Sequence, residues 1–288
     1  MKSDKLQGFG KRKAIDRLMT VLSFLCVLVA LVPLISMLLT VVTKGVLALN
    51  LDFLTQLPKA VGESGGGFGN AIQGTFIVVG IACLISLPIG IFSGVFLSEY
   101  GANSIALGVR FISDVLSGTP SIIAGIFSYT LVVKSFGSWS ALAGGFALSL
   151  IMIPIITRTV EESLRLVPLE VREASLALGI RRWRTILNIV MITAKAGIIT
   201  GIILATARAS GEAAPLLFTS GFSNYWASSL TNQPVSTLPV MIYTYAISPF
   251  EDWRAKAWAG ALVLMILILI LNVGMRFATK GKYSWRNF

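Results

Sequence analysis

The sequence predicts an all-α integral membrane protein with six transmembrane helices. Three observations point to that class: composition, the length of the apolar runs, and the placing of the basic residues. Of 288 residues, 55% are hydrophobic and only 13% charged, roughly half the charged share of an ordinary soluble domain. The apolar residues gather in runs that reach about the 20 residues a helix needs to cross a bilayer. The net charge is +11, yet Lys and Arg sit at the chain ends and in the gaps between those runs. That is how orientation signals are distributed, and it argues against nucleic acid as a partner.

The elements follow in order. Residues 1–17 carry six basic side chains, Lys2, Lys5, Lys11, Arg12, Lys13 and Arg17. The first span, 18–42, is too long for a signal-peptide core and lacks a small-residue cleavage site, so it reads as uncleaved. A mixed stretch, 44–70, ends in a Gly-rich connection. The second span is 71–97 with Pro88 inside it, and Glu99-Tyr100-Gly101-Ala102-Asn103 is a turn. The third lies within 107–133, the fourth is 139–156, the fifth 196–218 and the sixth 258–275. A charged segment, 158–195, separates the fourth from the fifth. A long, partly apolar loop, 219–256, separates the fifth from the sixth. The domain plan is a basic N-terminus (1–17), a six-helix membrane domain (18–280) and a tail (281–288).

Six spans place both termini on one side. That side collects eighteen Lys and Arg, counting the N-terminus, Arg110, 158–195 and the tail from Arg276; the other collects five. The bias puts the termini and the 158–195 loop in the cytoplasm. There is no histidine, which removes His-based catalysis and His metal sites. Cys26 and Cys83 lie inside apolar runs and read as small buried hydrophobes. No catalytic or metal-ligating constellation stands out, and no GxxxxGK[ST] nucleotide motif is present.

The cytoplasmic segment predicts a short helix over 168–178. Pro168 suits a first helical position, Glu170 favours the first turn, and Gly179 suits the reversal after the last. Val171, Ala174 and Leu178 form an apolar stripe. With Arg172, Arg181, Arg182 and Arg184 around it, such a helix either inserts into a groove on a partner protein or lies on the membrane surface against lipid phosphates.

Inside the fifth span stand Arg208 and Glu212, four residues apart and so on one helix face. A charge at the centre of a membrane helix costs roughly 2.5–3.5 kcal/mol, so it marks a cavity or a partner. The small residues around the pair allow close helix approach. The two side chains either neutralise each other to fix packing, or Arg208 lines the path of an anion while Glu212 holds it in place. Phosphate suits a guanidinium, which donates two parallel hydrogen bonds to an oxyanion. Asp114 is either a membrane acid or a residue at the cytoplasmic boundary. Ser117-Gly118-Thr119-Pro120-Ser121 is either a helix break offering backbone N–H groups to an anion or ordinary Gly and Pro content of a membrane helix. Pro33, Pro88 and Pro154 read as kinks. The aromatics of 219–256 either anchor at the interface, meet a neighbouring subunit or dock a solute-binding protein, with anchoring as the default.

Glu173-Ala174-Ser175, three residues, Gly179, nine residues and Ile189 resemble the EAA loop of ABC-importer permeases of the MetI-like family. Ser175 stands for the second alanine of that pattern, and Met191-Ile192 for its Leu-Pro. Ser98-Glu99-Tyr100, Gly118-Thr119-Pro120-Ser121-Ile122-Ile123-Ala124-Gly125 and Ala207-Arg208-Ala209-Ser210-Gly211-Glu212-Ala213-Ala214-Pro215 are similar to phosphate-importer permeases within it. The compact chain, without a long insertion, fits one of that family's two permease types. The resemblance implies a type I importer fold whose coupling helices dock an ATPase, through Val171, Glu173, Ala174, Leu178 and Gly179 here. It implies a substrate path at Arg208, Glu212, Thr119 and Ser121. It also implies a non-catalytic subunit with no cofactor of its own. ATP would be hydrolysed by a separate pair of ATPase subunits, beside a homologous sister permease and a phosphate-binding protein. The alternatives are a permease for another oxyanion, such as molybdate or sulfate, and a self-sufficient secondary transporter, which leaves the docking loop unexplained.

Overall fold

The computed structural model describes residues 3–279 apart from Ser64 and Ala102, and the side chains of 12–277 apart from Ala14 and those two. The tail expected at 281–288 lies outside the described residues.

The described residues are helical almost throughout, as membrane burial demands when water cannot satisfy a backbone amide. The long helices are α1 (Ser3–Ala48), α3 (Gly69–Glu99), α7 (Ala141–Arg165) and α14 (Glu251–Thr279). Between them lie α2 (Leu51–Thr55), α4 (Ser104–Gly118) and α5 (Ser121–Ser128), which runs through a π turn, Tyr129–Val133, into α6 (Lys134–Phe136). After α7 come α8 (Leu169–Ala177), α9 (Arg182–Thr185), a second π turn (Ile186–Val190), α10 (Met191–Thr193), α11 (Lys195–Ser210), α12 (Ala214–Thr219) and α13 (Leu238–Ala246). Among the described residues, the four long helices are each long and apolar enough to cross a membrane, and two bent pairs make up to six if each is one span.

The centre is the pair α3 and α7. Gly90 and Gly94 make it possible: a Cβ on Gly90 would lie 2.7 Å from Ile156, and one on Gly94 2.6 Å from Val160. Small residues let the backbones approach until dispersion contacts form along the whole seam. Val78, Ala82, Leu148, Met152, Ile156 and Val160 fill it, and Ile198, Ala205 and Leu216 close it from α11 and α12. α1 lies outside this core and packs along α14. The meeting point is Gly45, where a Cβ would sit 2.8 Å from Leu262. Most apolar side chains of α1 from Ile15 to Val46 are exposed, a surface suited to lipid.

Two expected spans are broken. The third bends by 106° between α4 and Ser121–Phe136. Proline lacks an N–H and pushes the residue before it out of the helical region, and Thr119 is extended at φ −78°, ψ 128°. The fifth is not continuous over 196–218: α11 ends at Ser210 and α12 starts at Ala214. A helix through this point would clash with the ring of Pro215 and lose its missing N–H. At the start of the fifth span, Arg182–Thr193 meets α11 at 71°, so the chain turns at Ala194 without the proline that the EAA pattern carries nearby.

The 219–256 stretch also departs from its reading as a loop of interfacial aromatics. It contains α13, whose Leu238, Met241 and Tyr245 are core residues together with Phe53 and Phe68. Tyr245 stacks on Trp253 at 4.2 Å and meets Phe68 edge-on at 4.9 Å. Tyr225 and Tyr243 remain exposed. The helix that carries the sixth span begins at Glu251, before the span expected from 258.

Candidate functional site

The two helix breaks come together. Gly125 of α5 packs on Pro215 of α12, where a Cβ would meet the proline Cα at 2.6 Å. That contact sets the 118–121 break beside the 211–213 break. Between them, with α7 as the floor, lies a cleft of about 410 Å³. Leu150, Ile151, Pro154 and Ile155 supply its apolar side; Ser117, Thr119, Ser121, Arg208 and Glu212 supply its polar side. The four path residues expected from sequence, Arg208, Glu212, Thr119 and Ser121, thus line one cavity. Asp114 does not; it is exposed on α4.

The charged pair is looser than two residues on one helical face. Arg208 sits in the last turn of α11 and Glu212 beyond its end, with Nε and Oε1 3.9 Å apart. That exceeds hydrogen-bond length. The Arg208 side chain is 60% exposed and that of Glu212 22%, so the guanidinium offers donors to the cleft while the carboxylate stays beside it. Across the cleft, the Thr119 hydroxyl donates to Val115 O at 2.7 Å, which leaves its lone pairs available. α5 has no side-chain cap, so the Ser121 and Ile122 amides have no acceptor in their own helix. A fork of donors, a hydroxyl and helix-start amides beside an acid form a donor set that an oxyanion can accept from.

The residues expected from sequence to dock an ATPase lie on α8 and just beyond its end. Pro168 precedes the helix and Gly179 ends it with φ +76°, where Gly179 N donates to Leu176 O and Ile180 N to Ser175 O. The structure divides the expected stripe. Val171 is half-buried against the core of α3 and α7, while Glu173, Ala174, Gly179 and Leu178, the last 81% exposed, face outward. Leu169, Leu176 and Trp183 extend that open apolar face. Ser175, the departure from the second alanine, is buried and its hydroxyl lies 2.8 Å from that of Thr185, joining α8 to α9.

One polar cluster escapes a sequence reading. Glu161 is buried near the C-terminal end of α7, with Oε1 3.0 Å from Arg110 and 2.7 Å from Arg165, and Oε2 3.6 Å from Arg158. The signal available was Arg110 itself, an isolated charge in an apolar run. Its partner is 51 residues away.

A family described as "binding-protein-dependent transport system inner membrane component" matches residues 86–281, and the chain belongs to it. It is therefore an inner-membrane permease component of an ABC importer, with the all-helical MetI-like fold. Among curated proteins, the phosphate transport system permease protein PstA of Haemophilus influenzae is 46% identical, with 98% of this chain and all of that one aligned. PstA of Yersinia pestis is 43% identical over 96% of this chain and 94% of its own. PstA 1 of Mycobacterium tuberculosis H37Rv is 36% identical over 91% and 87%. A solved structure of the MetNI methionine ABC transporter in an inward-facing conformation superposes with TM-score 0.59 at 17% identity, over 74% of this chain and 93% of that one. That likeness concerns the fold.

Proposed function

We propose that the chain is the PstA-type permease subunit of an ATP-driven importer of inorganic phosphate, with Arg208 at the anion path. The observation that carries this is the cleft itself, where an unsaturated guanidinium, a hydroxyl and a helix start converge between two helix breaks. The relatives' names supply the substrate, and the donor set suits a tetrahedral oxyanion. One chain forms one wall, so a homologous PstC-like permease forms the other. The exposed face of α8 docks a PstB-like ATPase pair that binds and hydrolyses ATP, and a PstS-like protein delivers phosphate from outside. Both termini are cytoplasmic, by the excess of basic residues on that side. The cleft catalyses no reaction and calls for no bound cofactor. Uptake of radiolabelled phosphate by cells carrying the wild type or Arg208→Gln, with sulfate and molybdate as competitors, tests the reading. Uptake reduced about tenfold or more in the variant, with wild-type uptake unaffected by either competitor, supports it. Normal uptake by the variant removes Arg208 from the path, and competition by molybdate or sulfate moves the substrate to that anion.

A further inference from the structure

Neither the cleft nor the open face of α8 uses Arg172, yet this side chain is among the most heavily bonded in the protein. It lies on α8, 17% exposed, with Glu99 beneath it at 7%. Its Nε and Nη2 donate to Glu99 Oε1 at 3.3 and 3.0 Å, its Nη1 to Val167 O at 2.6 Å, and its Nη2 also to Leu164 O at 2.8 Å. Those two carbonyls close the end of α7, where a helix leaves acceptors unfilled and favours a cation. Glu99 is the last residue of α3. One guanidinium therefore binds the ends of both central helices from α8. Arg182 of α9 adds a second hold: its Nη2 donates to Glu99 O at 2.5 Å and its guanidinium lies 4.6 Å over the Tyr100 ring. The Ser175–Thr185 contact ties α8 to α9.

Covalently, α8 hangs from α7 by only Leu166, Val167 and Pro168. A push on the exposed face of α8 would pivot about that joint unless something braces it. The Arg172–Glu99 pair is such a brace, since a fork fixed at several points resists rotation as a single charge contact does not. Displacement of α8 would then be passed to the ends of α3 and α7, which pack closely along their glycine seam. α7 carries Pro154 in the floor of the cleft, about 16 Å up the helix from Arg165 at 1.5 Å per residue.

We propose that Arg172 and Glu99 are positioning residues of transport: they make α8 rigid with α3 and α7, so that ATPase motion reaches the cleft instead of being lost in the 166–168 joint. This rests on the permease reading above. The test is the ratio of phosphate moved to ATP hydrolysed by the complete importer in proteoliposomes. The variants are Arg172→Gln, Glu99→Gln, the double variant, and Arg172→Lys as the conservative one. The brace predicts complexes that assemble and still hydrolyse ATP, with the ratio lowered between about twofold and thirtyfold in each single variant, the range over which coupling networks act. It also predicts a double variant no worse than the poorer single, and partial recovery with lysine. An unchanged ratio in both single variants overturns it. So does loss of the ATPase subunits from both, which assigns the pair to folding or docking instead. If the wild-type complex carries sulfate or molybdate in place of phosphate, the substrate reading fails, and the same ratio taken with that anion decides the brace.

Discussion

Arg208 and Glu212 face each other across the end of a helix, Nε to Oε1 at 3.9 Å, not along one helical face. The difference matters for function. A tight pair would satisfy the guanidinium and leave little for a passing anion. A loose one keeps the arginine oriented while its donors stay open, and the nearby carboxylate weakens any anion it receives.

Arg208→Gln is expected to reduce phosphate uptake about tenfold to a hundredfold, the worth of a charged hydrogen bond, while the importer still assembles. Arg208→Lys keeps the charge without the fork and should fall between the two. Transport assays beside co-purification of the ATPase read both quantities.

Leu178→Glu should release the ATPase without harming the membrane domain, because that side chain is open and touches little of its own chain. Val171→Ala should do the reverse, since Val171 packs inward: lower thermal stability with the ATPase retained. Pull-down and thermal denaturation in detergent separate the two.

Gly94→Ala places a methyl 2.6 Å from Val160 and 2.7 Å from Thr157 O. Overpacking of this kind costs about 1–3 kcal/mol. The loss should appear as a lower melting temperature, whereas Gly80→Ala, where a Cβ meets nothing within 4 Å, should leave it unchanged.

Glu161→Ala leaves Arg110 without the acid it meets in the interior. Breaking a buried pair costs about 3 kcal/mol or more, so the variant should be markedly less stable at neutral pH. Arg158→Ala, at an exposed side chain, should cost about 1 kcal/mol at most. Denaturation curves of the two variants provide the contrast.

The Tyr245 hydroxyl in α13, outside the spanning helices, is pushed up to about 12 by burial, with Asp252 adding to it. The neutral ring favours the folded state, so its contribution is complete below the ordinary value of 10 and is lost as pH rises toward about 12. Tyr245→Phe should flatten the pH dependence of stability in that window, measured by thermal denaturation across the series.

The sequence by itself determined the class, the apolar runs that become helices and the short helix α8. Apolar runs of bilayer length leave the backbone no choice but helix, and the Gly179 reversal and the EAA spacing mark α8. These are local signals, spaced a few residues apart. Only the tertiary structure decided where the breaks at Pro120 and Pro215 meet, that Glu212 stands beyond α11 rather than on it, that Val171 turns inward while Leu178 turns out, and that Arg110 and Arg172 find Glu161 and Glu99. A proline announces a break but not its 106° angle, and a lone charge in an apolar run announces a partner but not which one. Those choices depend on which helices glycine lets approach closely, and that is settled by packing between segments far apart in the chain.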